Sequence, residues 1–283
     1  MANDISFRIL QDIARDLSGE VVNFPTFLDI TFRVRTALKK PDLTIEELAT
    51  LVGAEPLMST RIIRLANSVT LNRSGRAIVD VNAAIARTGM EAVRSVSFAV
   101  AMEQLLASKK MAPFAAVSRR LWQHTMHVAA LSRLLARKAT RVAPDEAMFA
   151  GLIHDIGVFY LLSRAASFPE LIAEPSELHQ LLVQWHAEIG HALLAAMGLP
   201  EELLLVVQTH ETDRPVESLK TLADVLLVAN KLANLEHPWR DPELADRVDT
   251  TLLSQLFDAD AITTLLAESA DDLASLKNAL GAT

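Results

Sequence analysis

Apolar residues recur at intervals of three and four along almost the whole chain, and no stretch of useful length alternates as a half-buried strand would. The segments 44–53, 59–68 and 118–139 each carry an apolar stripe with this helical period. Hydrophobic residues make up 51% of the 283 residues, which is enough apolar material for a sizeable core. The spacing therefore predicts an all-α protein built from many helices.

Cap and breaker residues predict where several of these helices begin and end. Thr44 is followed three residues later by Glu47, the pattern of a capping box, and Gly53 is typical of a helix C-terminus. Pro144 breaks the chain and is followed by Asp145, which favours a new helix starting there.

Prolines and charge divide the chain into three predicted parts. We expect an N-terminal helical subdomain over 1–112, a helical bundle over 113–240, and an acidic C-terminal helical segment over 241–283. The last part holds nine acidic and two basic residues, a net charge of −7. Its apolar stripe needs a cover, either the protein's own bundle or a second chain.

Composition narrows the classes of function. The net charge of −8 matches nucleic acid poorly. The chain has no cysteine, which excludes thiolate zinc sites and is compatible with a reducing cytoplasm. Its N-terminus lacks the pattern of a signal peptide, and no run approaches about 20 uninterrupted apolar residues. We therefore expect a cytoplasmic protein without a membrane-spanning helix.

One His-Asp pair stands in an apolar run, and it is the strongest candidate for a polar site. All eight histidines lie between His124 and His237, and the run "FAGLIHDIGVFYLL", residues 149–162, contains His154 and Asp155. An aspartate in such surroundings is costly unless it is paired. The pair thus predicts either a buried hydrogen-bonded cluster or a metal site.

Several segments together resemble the HDOD family, the HD-related output domains of bacterial signalling proteins. The resemblance extends from about Phe24 to Asn234 and is carried by "EPLMSTRIIRLANSVTLN", "FAGLIHDIG", "HAEIGHALLAAMGLPEELLLVVQTHE" and "ADVLLVANKLAN". It implies that the bundle over 113–240 is HD-like and follows an N-terminal helical part. The wider HD superfamily includes metal-dependent phosphohydrolases and cyclic di-GMP phosphodiesterases of the HD-GYP type.

The resemblance also implies which residues would hold a metal. The first histidine corresponds to His124 and the adjacent pair to His154 and Asp155, while Asn230 stands where the final aspartate belongs. His186 and His210 match further ligands of the HD-GYP enzymes and are the weaker candidates.

Other departures from the HD-GYP pattern also argue against hydrolysis. Val158 replaces a phosphate-contacting lysine, and Thr209 replaces the first histidine of "HHE". The predicted site is therefore degenerate.

Three interpretations of the site remain open. His124, His154 and Asp155 form a structural polar cluster with no tightly bound cofactor, or they hold a divalent metal (Fe, Mn, Ni, Mg or Zn) without catalysis, or they form a working catalytic centre.

His186, Glu188 and His191 cannot all share one narrow helix face, so we expect partly solvated positions for them.

The preferred function is a non-catalytic signalling or scaffold module of bacterial regulation, acting through contacts with signalling proteins or with a second copy in a homodimer. The alternative is a metal-dependent phosphohydrolase acting on a nucleotide or cyclic dinucleotide. A further alternative is a DNA-binding regulator, because residues 44–76 resemble a helix–turn–helix. Its cationic residues would be Arg61, Arg64, Arg73 and Arg76.

Overall fold

The computed structural model describes residues 2–18, 29–68, 71–72, 75–139, 141–233 and 251–280. Within these ranges the chain forms helices, turns and loops without any strand, which confirms the all-α prediction. The helices are α1 (Ala2–Ser18), α2 (Asp29–Leu38), α3 (Ile45–Gly53), α4 (Pro56–Ala66), α5 (Val81–Thr88), α6 (Met90–Leu106), α7 (Ala115–Ala139), α8 (Pro144–Ile153), α9 (Ile156–Ala165), α10 (Pro169–Ala173), α11 (Pro175–Ala196), α12 (Glu201–Thr209), α13 (Leu222–Ala233), α14 (Thr251–Leu256) and α15 (Ala259–Leu280).

The predicted caps agree with the structure. The Thr44 hydroxyl accepts a hydrogen bond from the backbone N–H of Glu47 at 3.2 Å, and the Glu47 carboxylate accepts one from the backbone N–H of Thr44 at 3.1 Å. This reciprocal pair satisfies two donors that the first turn of α3 leaves open. Gly53 is the last residue of α3, and Pro144 is the first residue of α8.

Helix α6 is the centre of the N-terminal half. It contacts α2, α4 and α5 on its own side and α8 on the other, so it joins the two halves of the molecule. The predicted boundary between residues 112 and 113 falls inside a short 3-10 helix, Lys109–Phe114, that leads directly into α7.

Two glycines bring the helices of the second half into backbone contact. A Cβ atom added to Gly151 on α8 would lie 2.6 Å from the Cα of Ala129 on α7. A Cβ added to Gly157 on α9 would lie 1.9 Å from the carbonyl oxygen of His186 on α11. Both distances are well inside van der Waals contact, so only glycine allows these two approaches. They set the spacing of α8 from α7 and of α9 from α11, the helices around the His-Asp pair.

The C-terminal helix α15 packs on the protein's own helices α4 and α7. Leu265 and Leu276 on its apolar side are buried. Asp272 pairs with Arg137, and Glu268 pairs with Lys138, both at the end of α7. The bundle therefore supplies a cover for this helix. The predicted boundary at 240–241 lies outside the described residues.

Residues Pro144–Ala165 are the one described stretch that is long and apolar enough to cross a membrane. The structure buries 94% of its most apolar window inside the protein. The stretch is also divided into α8 and α9 by a break at the His-Asp pair. Its apolar character is thus explained by its place in the core.

The close approach at Gly157 generates a stability prediction. Gly157→Ala forces a methyl group into the backbone of α11, and we expect a loss of about 1–3 kcal/mol or more from overpacking. Thermal unfolding of the purified protein measures this loss. Gly53→Ala is the matched control, because nothing lies within 4 Å of the added Cβ. Equal melting temperatures for the two variants would contradict the packing argument.

Candidate metal centre

Six polar side chains from different parts of the second half converge on one point in the core. Five of them are at most 3% exposed, and the sixth, Asn230, is partly buried. They are His124 on α7, His154 and Asp155 between α8 and α9, His186 on α11, His210 after α12, and Asn230 on α13. We call this set the HD cluster.

Asp155 is held in the cluster by the break between α8 and α9. It is the residue before α9, but its side chain makes no capping hydrogen bond to that helix. A carboxylate at this position would ordinarily satisfy the free N–H groups of the first turn. Here the carboxylate lies beside the imidazoles of His154 and His210 instead.

Three of the histidines have the same orientation. The Nδ1 of His154 lies 2.7 Å from the carbonyl oxygen of Gly151, and the Nδ1 of His210 lies 2.6 Å from that of Val207. His186 repeats the pattern with a distance of 2.8 Å to the carbonyl of Leu182. Because a carbonyl only accepts, each Nδ1 must carry the hydrogen. In the neutral rings each Nε2 therefore presents a lone pair, which is the tautomer that binds metals.

These lone pairs lie close to the Asp155 carboxylate. The Nε2 of His154 is 3.0 Å from Oδ2, and the Nε2 of His210 is 3.4 Å from Oδ1. Neither approach has hydrogen-bond geometry, and both carboxylate oxygens lack a hydrogen-bond partner among the described residues. A buried anion that faces lone pairs is unfavourable unless a cation compensates it.

The pKa shifts define the charges in the cluster. Burial raises the pKa of Asp155, but His154 and His210 lower it more strongly and hold it well below its ordinary range. Burial lowers the pKa of His210, but Asp155 reverses this effect and the net shift is upward. Burial dominates at His124 and lowers its pKa to about 3. These directions favour an ionised Asp155 and a neutral His124, and Asp155 favours a proton on the Nε2 of His210 when no cation occupies the place of that proton.

The ligand atoms form two groups that share Asp155. One group is His124, His154 and Asp155, and the other is Asp155, His186 and His210. Within each group the candidate atoms lie within 4.8 Å of one another. Imidazole and carboxylate suit Zn, Fe and Mn, so the residues present fit a divalent transition metal.

The two groups differ in charge. In the first, the Nε2 of His124 lies 3.0 Å from the Oδ1 of Asn230, a neutral amide. In the second, the Glu211 carboxylate lies 3.5 Å from the Nε2 of His186. The second group therefore has two carboxylates nearby and is the better cation site.

The expectation that His186, Glu188 and His191 are partly solvated is wrong for one of the three. His186 is buried in the cluster, whereas Glu188 is exposed and accepts a hydrogen bond from Gln208. His191 is partly buried. His186 and Gly190, four residues apart, lie on the face of α11 that adjoins Gly157, a tertiary contact that the sequence does not show.

Residues 24–213, a span of 190 of the 283 residues, match the HDOD domain. The chain belongs to the HDOD family. The resemblance deduced from the sequence is thereby confirmed, and the helical bundle has the architecture that this resemblance implied.

Solved structures share the fold of this HDOD protein. One, from Shewanella amazonensis and provisionally described as a metal-dependent phosphohydrolase, is 22% identical with a TM-score of 0.74, covering 97% of this chain and 98% of that one. An HDOD domain protein of unknown function from Geobacter sulfurreducens is 22% identical with a TM-score of 0.63. The match covers 98% of this chain and 99% of that one.

An uncharacterised protein from Treponema pallidum (strain Nichols) is 22% identical over an alignment of 236 residues, which covers 77% of this chain. The match spans only 44% of that curated relative's length.

The predicted helix–turn–helix exists as α3 and α4, and one of its four arginines is unavailable to DNA because it is buried. Arg61 is buried and donates hydrogen bonds to both carboxylate oxygens of Glu103 at 2.8 and 2.9 Å. Helix α4 is itself covered by α3, α5, α6 and α15. Arg64 and Arg76 are exposed, and Arg73 lies outside the described residues.

The contact between His124 and Asn230 generates a prediction about metal affinity. Asn230→Asp adds a carboxylate to the first ligand group, and we expect Mn²⁺ or Zn²⁺ to bind at least tenfold more tightly. In EDTA the same variant should melt earlier than wild type, because an uncompensated charge has been added near Asp155.

Calorimetric titration and thermal unfolding, each with and without metal, measure the two effects. Asn82→Asp is the matched control, since Asn82 is exposed on α5. Equal gains in affinity for both variants would exclude Asn230 from the ligand set.

Proposed function

We propose that this HDOD protein is a non-catalytic signalling module whose HD cluster holds a divalent cation as a structural element. The observation that carries the proposal is the wholly buried Asp155 carboxylate, which faces imidazole lone pairs and has no hydrogen-bond partner among the described residues. A cation placed there is attracted to the carboxylate and accepts those lone pairs. Held by Asp155, His186 and His210, it would join the start of α9, helix α11 and the end of α12 through their own side chains.

The enclosure of the cluster argues against hydrolysis. When bound, a divalent metal can polarise a phosphoryl group and acidify a water, but both steps need an open coordination position that substrate can reach. The five histidine and aspartate side chains of the cluster are at most 3% exposed. Val158, which stands where HD-GYP enzymes have a lysine, is buried and cannot contact phosphate. The ligand set thus supports binding better than turnover.

The helices that supply His186 and His210 also present apolar side chains to solvent. Val183 on α11 and Leu205 on α12 are each about half exposed, and Ile172 on the neighbouring α10 is also exposed. We propose these exposed apolar side chains on consecutive helices as part of a protein contact, the role that a contiguous apolar patch has on a protein surface. A cation that fixes α11 and α12 would fix the surface offered to a signalling partner, and a second copy of the chain is the simplest such partner.

Metal binding and hydrolysis are measured together to test the proposal. We expect wild type to bind one divalent ion per chain, and Asp155→Asn to bind it more than roughly a hundredfold less tightly, because a ligand is lost. Asp272→Asn is the control, since Asp272 is a buried, ion-paired carboxylate outside the cluster. We expect no hydrolysis of bis-p-nitrophenyl phosphate beyond that of the free metal.

Two results would contradict the proposal. Metal-dependent hydrolysis that disappears in Asp155→Asn but persists in Asp272→Asn would make the protein a phosphohydrolase. Failure to bind Zn²⁺, Mn²⁺ or Fe²⁺ at any pH between 6 and 8 would leave the cluster as a proton-balanced polar core, with the positive charge on His210.

The contact surface has a separate test. Leu205→Glu replaces a half-exposed side chain and should leave the melting temperature unchanged while it weakens self-association measured by light scattering. Glu202→Gln, on an exposed position of the same helix, is the control. Self-association that is unaffected by Leu205→Glu would exclude this surface from a homodimer.

A further inference from the structure

A second site lies on the other side of α8 from the HD cluster, between the two halves of the molecule. It is a cleft of about 370 Å³ bounded by α2, α6, α8 and the turn that follows α11. This volume lies within the range of pockets that hold small organic ligands, about 300–1,000 Å³. The cleft shares no lining residue with the cluster.

The interior of the cleft is apolar and aromatic. Phe98 from α6 and Phe149 from α8 meet edge to face, with ring centroids 6.3 Å apart. Leu194 and Met197 from the end of α11 line the opposite side. Such walls favour an aromatic or apolar ligand body.

The lining is also positively charged. Arg35, Lys39 and Arg94 contribute three cations, whereas Glu91 is the only carboxylate in the lining. Glu91 pairs with Arg94 at 2.8 Å, and the Arg94 guanidinium lies 4.2 Å above the centroid of the Phe149 ring. Two positive charges therefore remain without a carboxylate in the cleft.

Arg35 is the group that most clearly lacks a counter-charge. It is partly buried, which lowers its pKa, and among the described residues it makes no ion pair or hydrogen bond. Its guanidinium lies across Gly198, where a Cβ would be 2.5 Å from a guanidinium nitrogen. Gly198 has a φ of +66°, a backbone conformation that favours glycine. Any larger residue at this position would also collide with the Arg35 side chain. A partly buried guanidinium without a partner can donate hydrogen bonds to a carboxylate, sulfonate or phosphate group.

We infer that this cleft binds a small organic anion in which one acidic group is attached to an aromatic or apolar body. The acidic group would lie against Arg35 and Lys39, and the body would lie against the wall that Phe98, Phe149 and Leu194 form. This inference does not rest on the proposed metal, because no cluster residue takes part in the binding.

The test uses a fluorescent aromatic sulfonate, 8-anilinonaphthalene-1-sulfonate, with the folded full chain in EDTA. We expect saturable binding of one probe per chain that weakens at least tenfold in Arg35→Gln, equivalent to about 1.4 kcal/mol. Arg33→Gln is the matched control, because Arg33 lies on the same helix but outside the cleft and pairs with Glu55. It should bind the probe as wild type does.

A neutral analogue separates the anionic contact from apolar binding. N-phenyl-1-naphthylamine lacks the sulfonate, so its affinity should not change in Arg35→Gln. Equal weakening of the sulfonate by Arg33→Gln and Arg35→Gln would reduce the effect to general surface charge and overturn the inference. Unchanged binding in Arg35→Gln would overturn it as well. Since EDTA is present throughout, neither result depends on whether the HD cluster binds a metal.

Discussion

The buried Asp155 carboxylate, which has no hydrogen-bond partner among the described residues, is the constraint on which the second half of the structure depends. It can remain ionised only if a positive charge reaches it, and imidazoles from separate helices are arranged to provide or share that charge. Their convergence requires α8 to lie against α7 and α9 to lie against α11 at backbone distance. Gly151 and Gly157 permit both approaches. The charge of one side chain can therefore be compensated only if four helices pack at these close distances.

Asn230 stands where other HD proteins have an aspartate, and this difference alters the net charge of the cluster more than its shape. A carboxylate at position 230 would add a second negative charge to the group around His124. A second cation would then be needed to compensate it. With an amide there, one carboxylate faces several imidazoles, so a single cation or a proton is sufficient. Glu211 supplies a further, partly exposed carboxylate beside His186. The charge is thus concentrated on the side of α11 and α12, where the apolar side chains are exposed.

Local sequence patterns predicted the parts of the fold that local interactions determine. The helical period, the Thr44–Glu47 capping box and the start at Pro144 all concern residues within a few positions of one another. The place of His186 depended instead on the contact between Gly157 and α11, some 30 residues away in the chain, which helix periodicity cannot reveal. The ion pair between buried Arg61 and partly exposed Glu103 joins residues 42 positions apart and could not be predicted for the same reason. The cleft beside α8 is likewise a product of tertiary packing.

Helix α8 connects the two sites described here. Its residues Phe149 and Ile153 line the cleft. The next residue in the chain, His154, belongs to the HD cluster. A ligand in the cleft that displaced the end of α8 would also move His154, because glycine contacts leave this part of the core little room to relax. If the cluster holds the cation proposed above, thermodynamic reciprocity requires that cation to change the affinity of the cleft by the same factor as the ligand changes the affinity of the cluster. The shared helix would then give a cation held without catalysis a physical role, since its binding would be coupled to that of the ligand.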